Sequence, residues 1–146
     1  MYDNVLIPTD GSDRMGDVIE HADRLASIHD ATLHALYVAN TASLSDLPME
    51  SSWEGVSSAL RKQGERAIDQ LKEEIETESV ESAIVDGSPP TRIIDYAEEN
   101  DCDVIVMGTH GRSGVDRLLL GSVAERVVRS SPVPVLTINV EKGEPR

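Results

Sequence analysis

The chain alternates short apolar segments with longer stretches in which apolar residues recur every three or four positions. Short apolar segments are typical of buried strands, and the three-to-four spacing is typical of helices with one apolar face. The predicted strands cover residues 4–8, 31–38, 80–85, 103–108 and 133–138. Because strands and helices alternate along the chain, the sequence predicts an α/β fold with a mostly parallel sheet.

Helices are predicted in the four stretches between the strands. The first begins at Ser12, the second ends near Glu78, and the fourth runs from about residue 122 to residue 130. The third follows Ser88, a residue type that favours the N-cap position, and has prolines in its first turn, where a helix tolerates them. Pro134 cannot donate to a neighbouring strand, so we expect the last strand at a sheet edge, or Pro134 as its first residue.

Right-handed crossovers restrict the possible topologies to a few. If the first three strands wind to one side and the fourth returns beside the first, the strand order is 3-2-1-4-5. Two loops rich in glycine and small polar residues, 9–12 and 108–111, then meet beyond the carboxyl ends of strands one and four. Open α/β sheets bind their ligands in such a crevice, where the winding direction changes.

The length of 146 residues fits one domain spanning residues 1–146. Cys102 is the only cysteine and precedes a predicted strand, so we expect a small core residue and no disulfide framework. The apolar runs are far shorter than the roughly 18 residues of a membrane span, and the first residues lack the pattern of a signal peptide. We therefore expect a cytoplasmic protein without membrane contact.

Charge excludes two further classes of partner. Thirteen lysines and arginines stand against 27 aspartates and glutamates, which gives a net charge of -14. This excess should repel nucleic acids and anionic membranes. With three lysines beside ten arginines, the composition indicates either a salt-adapted proteome or an ordinary acidic cytosolic protein.

The segment 108–122, GTHGRSGVDRLLLGS, contains glycine, two residues, glycine, nine residues, and then glycine and serine. Gly108 and Gly111 let the backbone approach a ligand without a Cβ, so that amide N–H groups can face phosphate oxygens. Gly121 and Ser122 open the last predicted helix, whose amino end favours an anion. The segment therefore predicts a phosphate site.

Several neighbouring residues keep two interpretations. Arg112 and Arg117 are either phosphate partners or solvated loop residues. Asp10 is either part of the site or a cap for the first helix. His110 is either a phosphate contact or incidental, and the other histidines lack metal-binding spacing.

Taken together, these segments make the chain resemble a single-domain member of the universal stress protein family over nearly its whole length. The similar segments are VLIPTDGS at 5–12, DVIVMGTHGRSG at 103–114, LLLGSVAERV at 118–127 and PVPVL at 132–136. The nucleotide-binding branch of that family has the same glycine spacing, which the branch that does not bind ATP lacks. The resemblance implies a three-layer, adenine nucleotide alpha-hydrolase-like (Rossmann-like) fold with a five-stranded parallel sheet.

The resemblance also implies ATP, or another adenine nucleotide, lying across the crevice, with Mg²⁺ or Mn²⁺ bridging its phosphates. No protein ligand for that metal is evident in the sequence. Transferred position by position, the ribose and adenine would be contacted by Pro8, Thr9, Asp10 and Val38, the ribose and phosphates flanked by Met107 and Gly108, and the phosphates held by Gly111, Gly121, Ser122 and Val123.

The function implied is a nucleotide-dependent stress-response or signalling module that an unknown protein partner reads. No P-loop is present, and no set of catalytic residues is convincing. A slow ATPase or nucleotidyl-transfer enzyme using Asp10 or a metal-bound water is the alternative, and a structural dimer that binds nothing is the third hypothesis.

A homodimer is expected for two reasons. The last strand, from Val133 to Val140, would present unpaired backbone groups at a sheet edge, and a second copy could satisfy them by antiparallel pairing. The family resemblance implies a dimer through the same strand.

Overall fold

Five parallel strands form one sheet with the order β3-β2-β1-β4-β5. The computed structural model describes residues 1–12, 15–41, 53–109 and 121–139. The elements are β1 (Asn4–Pro8), α1 (Met15–His29), β2 (Thr32–Ala39), α2 (Trp53–Glu74), β3 (Val80–Asp86), α3 (Pro89–Glu99), β4 (Val104–Gly108), α4 (Ser122–Ser130) and β5 (Val135–Ile138). The predicted strand order and the three-layer α/β, Rossmann-like class are confirmed, and β5 lies at an edge as expected.

Helices cover both faces of the sheet, which is why the central strands are apolar without alternation. Val5 and Ile7 of β1 pack in one hydrophobic cluster with α1 and α2. Leu6, between them, packs in a second hydrophobic cluster with residues of α3 and α4. Cys102 also belongs to this second cluster. The prediction that Cys102 is a buried core residue is confirmed. None of the helices in the described ranges has the length and apolarity needed to cross a membrane.

The second helix ends at Glu74, four residues before the predicted end near Glu78. Beyond the helix, the carboxylate of Asp23 on α1 accepts hydrogen bonds from the backbone N–H groups of Glu76 and Thr77, both at 3.0 Å, and from the Thr77 hydroxyl at 2.5 Å. These bonds hold the chain in a non-helical connection to β3. The wrong boundary thus reflects a tertiary contact that helical spacing does not contain.

Other boundaries differ by one to three residues. Helix α1 begins at Met15 where Ser12 was predicted, and β2 is shifted by one residue from 31–38. Strand β4 begins at Val104, one residue after the predicted start. Strand β5 begins at Val135, two residues after the predicted start, so Pro134 precedes the strand. Ser88 occupies the predicted N-cap of α3, but its side chain makes no capping bond.

A polar network closes the amino end of the sheet. Asp103, just before β4, accepts hydrogen bonds through Oδ2 from the backbone N–H groups of Asp3 at 2.7 Å and Asn4 at 2.9 Å. His34 of β2, 3% exposed, shares hydrogen bonds with Asn4 Oδ1 at 3.0 Å and with the Tyr96 hydroxyl at 2.9 Å. Burial lowers the pKa of His34, and the nearby Glu81 carboxylate opposes that shift.

At the opposite end of the sheet, β1 and β4 separate. Within these two strands, pairing is formed at Val5↔Val104 and Leu6↔Ile105. The β1–β2 and β4–β5 pairings, in contrast, continue to the last residue of β1 and of β4. Pro8 at the end of β1 has no N–H to donate, which removes one bond that would hold the strands together. The sheet therefore opens where its winding direction changes.

Candidate functional site

A cavity of about 440 Å³ lies at the opening between β1 and β4. This volume is within the range of small-molecule sites, roughly 300 to 1,000 Å³. Its walls come from the carboxyl ends of β1, β2 and β4, the amino ends of α3 and α4, the first turn of α1 and the middle of α2. The lining residues described are Pro8, Thr9, Asp10, Met15, Leu36, Tyr37, Val38, Asn40, Leu60, Gln63, Pro89, Ile93, Met107, Gly108, Gly121, Ser122, Val123 and Ala124.

The loop after β1 forms one wall and is held by its own hydrogen bonds. The Thr9 N–H donates to the Leu36 carbonyl at 2.8 Å, and Thr9 Oγ1 accepts from the Gly11 N–H at 3.1 Å. Gly11 has φ of +76°, which favours glycine, and a Cβ there would lie 3.2 Å from that of Ala67. This tight turn keeps the loop beneath α2 and directs the chain into α1.

Asp10 stabilises the loop after β1 and also lines the cavity. Its Oδ1 accepts a hydrogen bond from the Ser12 N–H at 2.9 Å, which stabilises the turn ahead of α1. Asp10 also lines the cavity, where it is the only residue charged at neutral pH among the described lining residues. Among the described residues, this bond occupies one carboxylate oxygen, so a ligand in the cavity could meet the second.

The amino end of α4 forms the polar wall. Gly121 donates its N–H to the Thr109 carbonyl at 2.6 Å, and Thr109 donates to the Ile138 carbonyl at 3.0 Å, so the helix start is tied to β5. The first intrahelical bond comes from Glu125 to Gly121, at 2.9 Å. Ser122, Val123 and Ala124 lie between these residues and line the cavity. Their N–H groups precede the first intrahelical bond, and helix amino ends of this kind favour anions.

The other end of the cavity is apolar and suits a flat heterocycle. Leu36, Met107 and Ile93 are buried beside it, and Pro89 begins the helix that closes this side. These side chains can contact a ring on its faces, while backbone groups at the end of β2 can meet its polar edge. The arrangement therefore offers an apolar end, a carboxylate and an anion-binding end in one cavity.

A close contact fixes the position of the α2 wall. Tyr37, 6% exposed, packs against Gly64 so tightly that a Cβ on Gly64 would lie 2.6 Å from the tyrosine ring. Leu60 and Gln63, just before Gly64, both line the cavity. The absence of a side chain at residue 64 thus lets α2 approach β2 and form one wall of the cavity.

Nine of the eleven site residues predicted from the sequence line this cavity: Pro8, Thr9, Asp10, Val38, Met107, Gly108, Gly121, Ser122 and Val123. The remaining two, Gly111 and Arg112, lie outside the described residues, as do His110 and Arg117. Their contacts with a nucleotide stay predictions.

The sequence did not point to the walls supplied by α1, α2 and α3. Met15, Leu60 and Ile93 belong to ordinary apolar stripes, which do not show that their ends border a cavity. Pro89 could have been found, because the first turn after a parallel strand lies at the carboxyl edge of the sheet. Gln63 carries no sequence signal, since a polar residue on a helix is usually only solvated.

Comparisons with known proteins agree with this architecture. The family model described as the universal stress protein family matches residues 1–139. Universal stress protein MJ0531 of Methanocaldococcus jannaschii is 39% identical over 146 residues, which cover 99% of this chain and 86% of the relative. The solved structure of MJ0577, a universal stress protein of the same organism, has a TM-score of 0.86 at 28% identity and covers 98% of this chain and 99% of that chain.

A crystal structure of a universal stress protein in complex with cAMP is also similar. Its TM-score is 0.64 at 26% identity, with 96% of this chain and 98% of that chain covered. The family match over residues 1–139 and the 39% identity to a full-length relative agree with the resemblance noted in the sequence. This chain belongs to the universal stress protein family.

Proposed function

We propose that this protein binds an adenine nucleotide, with ATP as the first candidate, in the cavity between β1 and β4. The observation that carries the proposal is the combination of an apolar end at β2 and α3 with an anion-binding helix start at α4. The cAMP complex of a 26% identical relative supports an adenine nucleotide as the ligand.

In the proposed complex, adenine occupies the apolar end and the phosphates lie at α4. The adenine ring would meet the backbone of Val38, and Asp10 would accept a hydrogen bond from the ribose. Ser122 would donate its hydroxyl, and the first amides of α4 would donate their N–H groups, to phosphate oxygens. Gly111 and Arg112 would complete the phosphate contacts.

The proposed divalent cation, Mg²⁺ or Mn²⁺, would be held by the nucleotide. No group of three metal-ligating side chains is brought together in the described part of the chain. In the proposed complex the cation arrives with the phosphates and neutralises part of their charge.

Thermal unfolding tests the binding proposal. A ligand that binds only the folded state at a hundredfold excess over its dissociation constant stabilises it by about 2.7 kcal/mol, so Mg-ATP should raise the Tm of nucleotide-free protein. Gly121→Val should remove that shift by filling the phosphate end, and the backbone there, with φ of -64°, accepts a valine. Gly16→Ala is the matched control, because a Cβ at residue 16 meets nothing within 4 Å.

Two outcomes contradict the binding proposal. One is the same Tm for nucleotide-free wild type with and without Mg-ATP. The other is an equal shift in wild type and Gly121→Val, which would place the ligand elsewhere on the protein.

The role we propose is a stress-response or signalling module in which the bound nucleotide stabilises a surface that a protein partner reads. A slow ATPase or nucleotidyl-transfer enzyme is the alternative, and the position of Asp10 on the cavity wall favours it. Asp10→Asn distinguishes the enzyme from the signalling module. Its amide oxygen can still accept the Ser12 N–H and keep the turn, while the carboxylate charge is lost. Steady turnover in wild type that disappears in this variant, with nucleotide binding retained, would favour the enzyme.

We also propose the homodimer through β5. The two edges of the sheet differ, since β3 carries the exposed charges of Glu81 and Asp86, whereas β5 is uncharged and exposes 41% of Leu136. Charges discourage pairing at an edge, so a second copy would pair at β5. Leu136→Glu should convert the dimer to a monomer by light scattering, and a monomeric wild type would contradict the proposal. Val140, at the end of the predicted strand, lies outside the described residues.

A further inference from the structure

We propose that the cavity selects among nucleotides by their charge, and that ionic strength sets how many phosphates the bound nucleotide carries. The inference rests on the proposed nucleotide function and adds its regulation. The proposed ligand is an anion and the chain has a net charge of -14, so the protein as a whole repels it.

The described walls of the cavity contain no positive side chains that would offset this repulsion. Within the described residues, the lining contains no lysine, arginine or histidine, and it contains the carboxylate of Asp10. Backbone amides at the start of α4 supply the attraction, equivalent to about half an elementary charge at a helix end. That partial charge acts over short distances, and the net negative charge of the whole protein is much larger.

Two basic side chains near the carboxyl end of the sheet are paired with carboxylates. Arg61 of α2 forms an ion pair with Asp86 at the end of β3, at 3.2 Å. Arg92 of α3 forms an ion pair with Asp95 of the same helix, at 3.4 Å. Each pair has no net charge, so neither offsets the repulsion that a phosphate meets.

The segment 110–120 carries two arginines and one aspartate and lies outside the described residues. Its charges are included in the total of -14. Arg112, which we propose to contact the phosphates, adds a short-range attraction and leaves the long-range repulsion by the total charge in place.

Ionic strength decides how much of this repulsion reaches the ligand. The screening length is about 30 Å at 0.01 M salt and about 3 Å at 1 M. A domain of this length has a radius of gyration of about 15 Å, so at low salt carboxylates on every surface act on a ligand in the cavity. At high salt only charges next to the ligand act, so the attraction of the α4 amides and of Arg112 outweighs the repulsion.

The repulsion grows with the charge of the ligand. Adenosine is neutral, AMP carries about two negative charges and metal-free ATP about four, so the energy of interaction with the protein rises in that order. Low salt should therefore favour nucleosides and nucleotides with few charges. High salt should admit the triphosphate. A site built from basic side chains would show the opposite trend, because salt weakens attraction between opposite charges.

Titration calorimetry with adenosine, AMP and ATP in EDTA tests the proposal, because EDTA removes the cations that would mask the ATP charge. Between about 20 mM and about 500 mM NaCl, the ATP association constant should rise at least tenfold, that of AMP about threefold, and that of adenosine less than twofold. Circular dichroism at each salt concentration restricts the series to conditions in which the protein stays folded.

Surface variants away from the cavity separate charge from contact. Glu65, Asp69 and Glu73 are exposed on α2 and do not line the cavity, so their combined replacement by Gln, Asn and Gln should make the ATP salt dependence shallower. Lys62→Gln with Arg66→Gln removes positive charges from the same helix and should make the salt dependence of ATP binding steeper. A structural effect of altering α2 would not change sign with the charge removed.

Several results would overturn the inference. ATP affinity that is flat or falls with salt refutes charge selection and leaves nucleotide binding intact. An equal gain for adenosine and ATP assigns the salt effect to the protein's own stability and also refutes it. Failure of every ligand to bind at any salt concentration refutes the proposed function itself.

Discussion

The two ends of the sheet use the same residue type in opposite ways. At the amino end, Asp103 binds the backbone amides of Asp3 and Asn4, so that its Oδ2 is occupied by the protein itself. At the carboxyl end, Asp10 gives Oδ1 to the Ser12 amide and also lines a cavity of about 440 Å³. The difference indicates that polar groups satisfied within the chain stabilise this fold, while those left facing a cavity are available to a ligand.

The strongest test of that contrast is Asp103→Ala. It removes a charged acceptor from two backbone amides, and we expect the free energy of unfolding to fall by about 2–3 kcal/mol. Urea unfolding measures the loss. The Tm shift produced by Mg-ATP should stay the same as in wild type, because Asp103 lies at the end of the sheet opposite the cavity.

Asp103→Asn is the control, since it keeps one acceptor oxygen and should lose less stability than the alanine variant. If Asp103→Ala is as stable as wild type, the closed end does not carry the stability assigned to it.

A smaller loss is expected for Asp23→Ala, which removes the contacts between α1 and the connection to β3. Three hydrogen bonds to a partly exposed carboxylate should contribute about 1–2 kcal/mol. Burial would raise the pKa of Asp23, but the bonds from Thr77 and the Glu76 amide outweigh it and lower the pKa below 3.8. The stabilisation is therefore present above about pH 4 and is lost as the pH falls through the lower, folded-state pKa.

Acid unfolding of wild type and Asp23→Asn measures this effect. The difference between the two proteins should shrink below pH 4, where the wild-type carboxylate becomes protonated. A difference that stays constant to lower pH would exclude linkage to this carboxylate.

Gly64→Ala tests the carboxyl end by changing the α2 wall. The added methyl would lie 2.6 Å from the Tyr37 ring, so overpacking should cost about 1–3 kcal/mol, partly offset by about 1 kcal/mol of helix propensity. We expect a net loss of about 1 kcal/mol and weaker nucleotide binding, measured by urea unfolding and calorimetry. Gly16→Ala, on α1 in open space, should instead gain stability, and equal behaviour of the two variants would contradict the role of the contact.

The smallest effect should come from His34. Burial lowers its pKa, so the folded state binds fewer protons than the unfolded state as the pH falls below about 6.5. The stabilisation is complete above that pH and decreases as the pH falls toward the folded-state pKa. Comparing urea unfolding of wild type and His34→Gln between pH 7.5 and pH 5, approximately the titration range of histidine, measures it. Parallel curves for the two proteins would contradict the prediction.

The sequence predicted the parts of the fold that depend on local pattern. Strand β1 was predicted to the residue, and the end of α2 was missed because Asp23, 53 residues away from Glu76, sets it. The closed amino end was also missed, since Asp103 and Asn4 are 99 residues apart and neither has a distinctive neighbour. Spacing along the chain reports periodicity, and it does not report which distant polar groups will meet.

The candidate site shows the same division. Its loops were predicted because glycines and small polar residues cluster at strand ends, and the strand order brings those ends together. The α2 wall depends on the fit of Tyr37 against Gly64, a contact between two elements that no local pattern encodes. The sequence therefore predicted the loop walls of the cavity and missed the α2 wall.

The cavity borders both hydrophobic clusters, since Tyr37 belongs to the cluster beneath α1 and α2 and Leu36 to the one beneath α3 and α4. An occupant touching both would connect the two layers directly, in addition to their contacts with the sheet. Backbone amides in α2 and α3 should then exchange with deuterium more slowly, and at similar rates, once the cavity is filled.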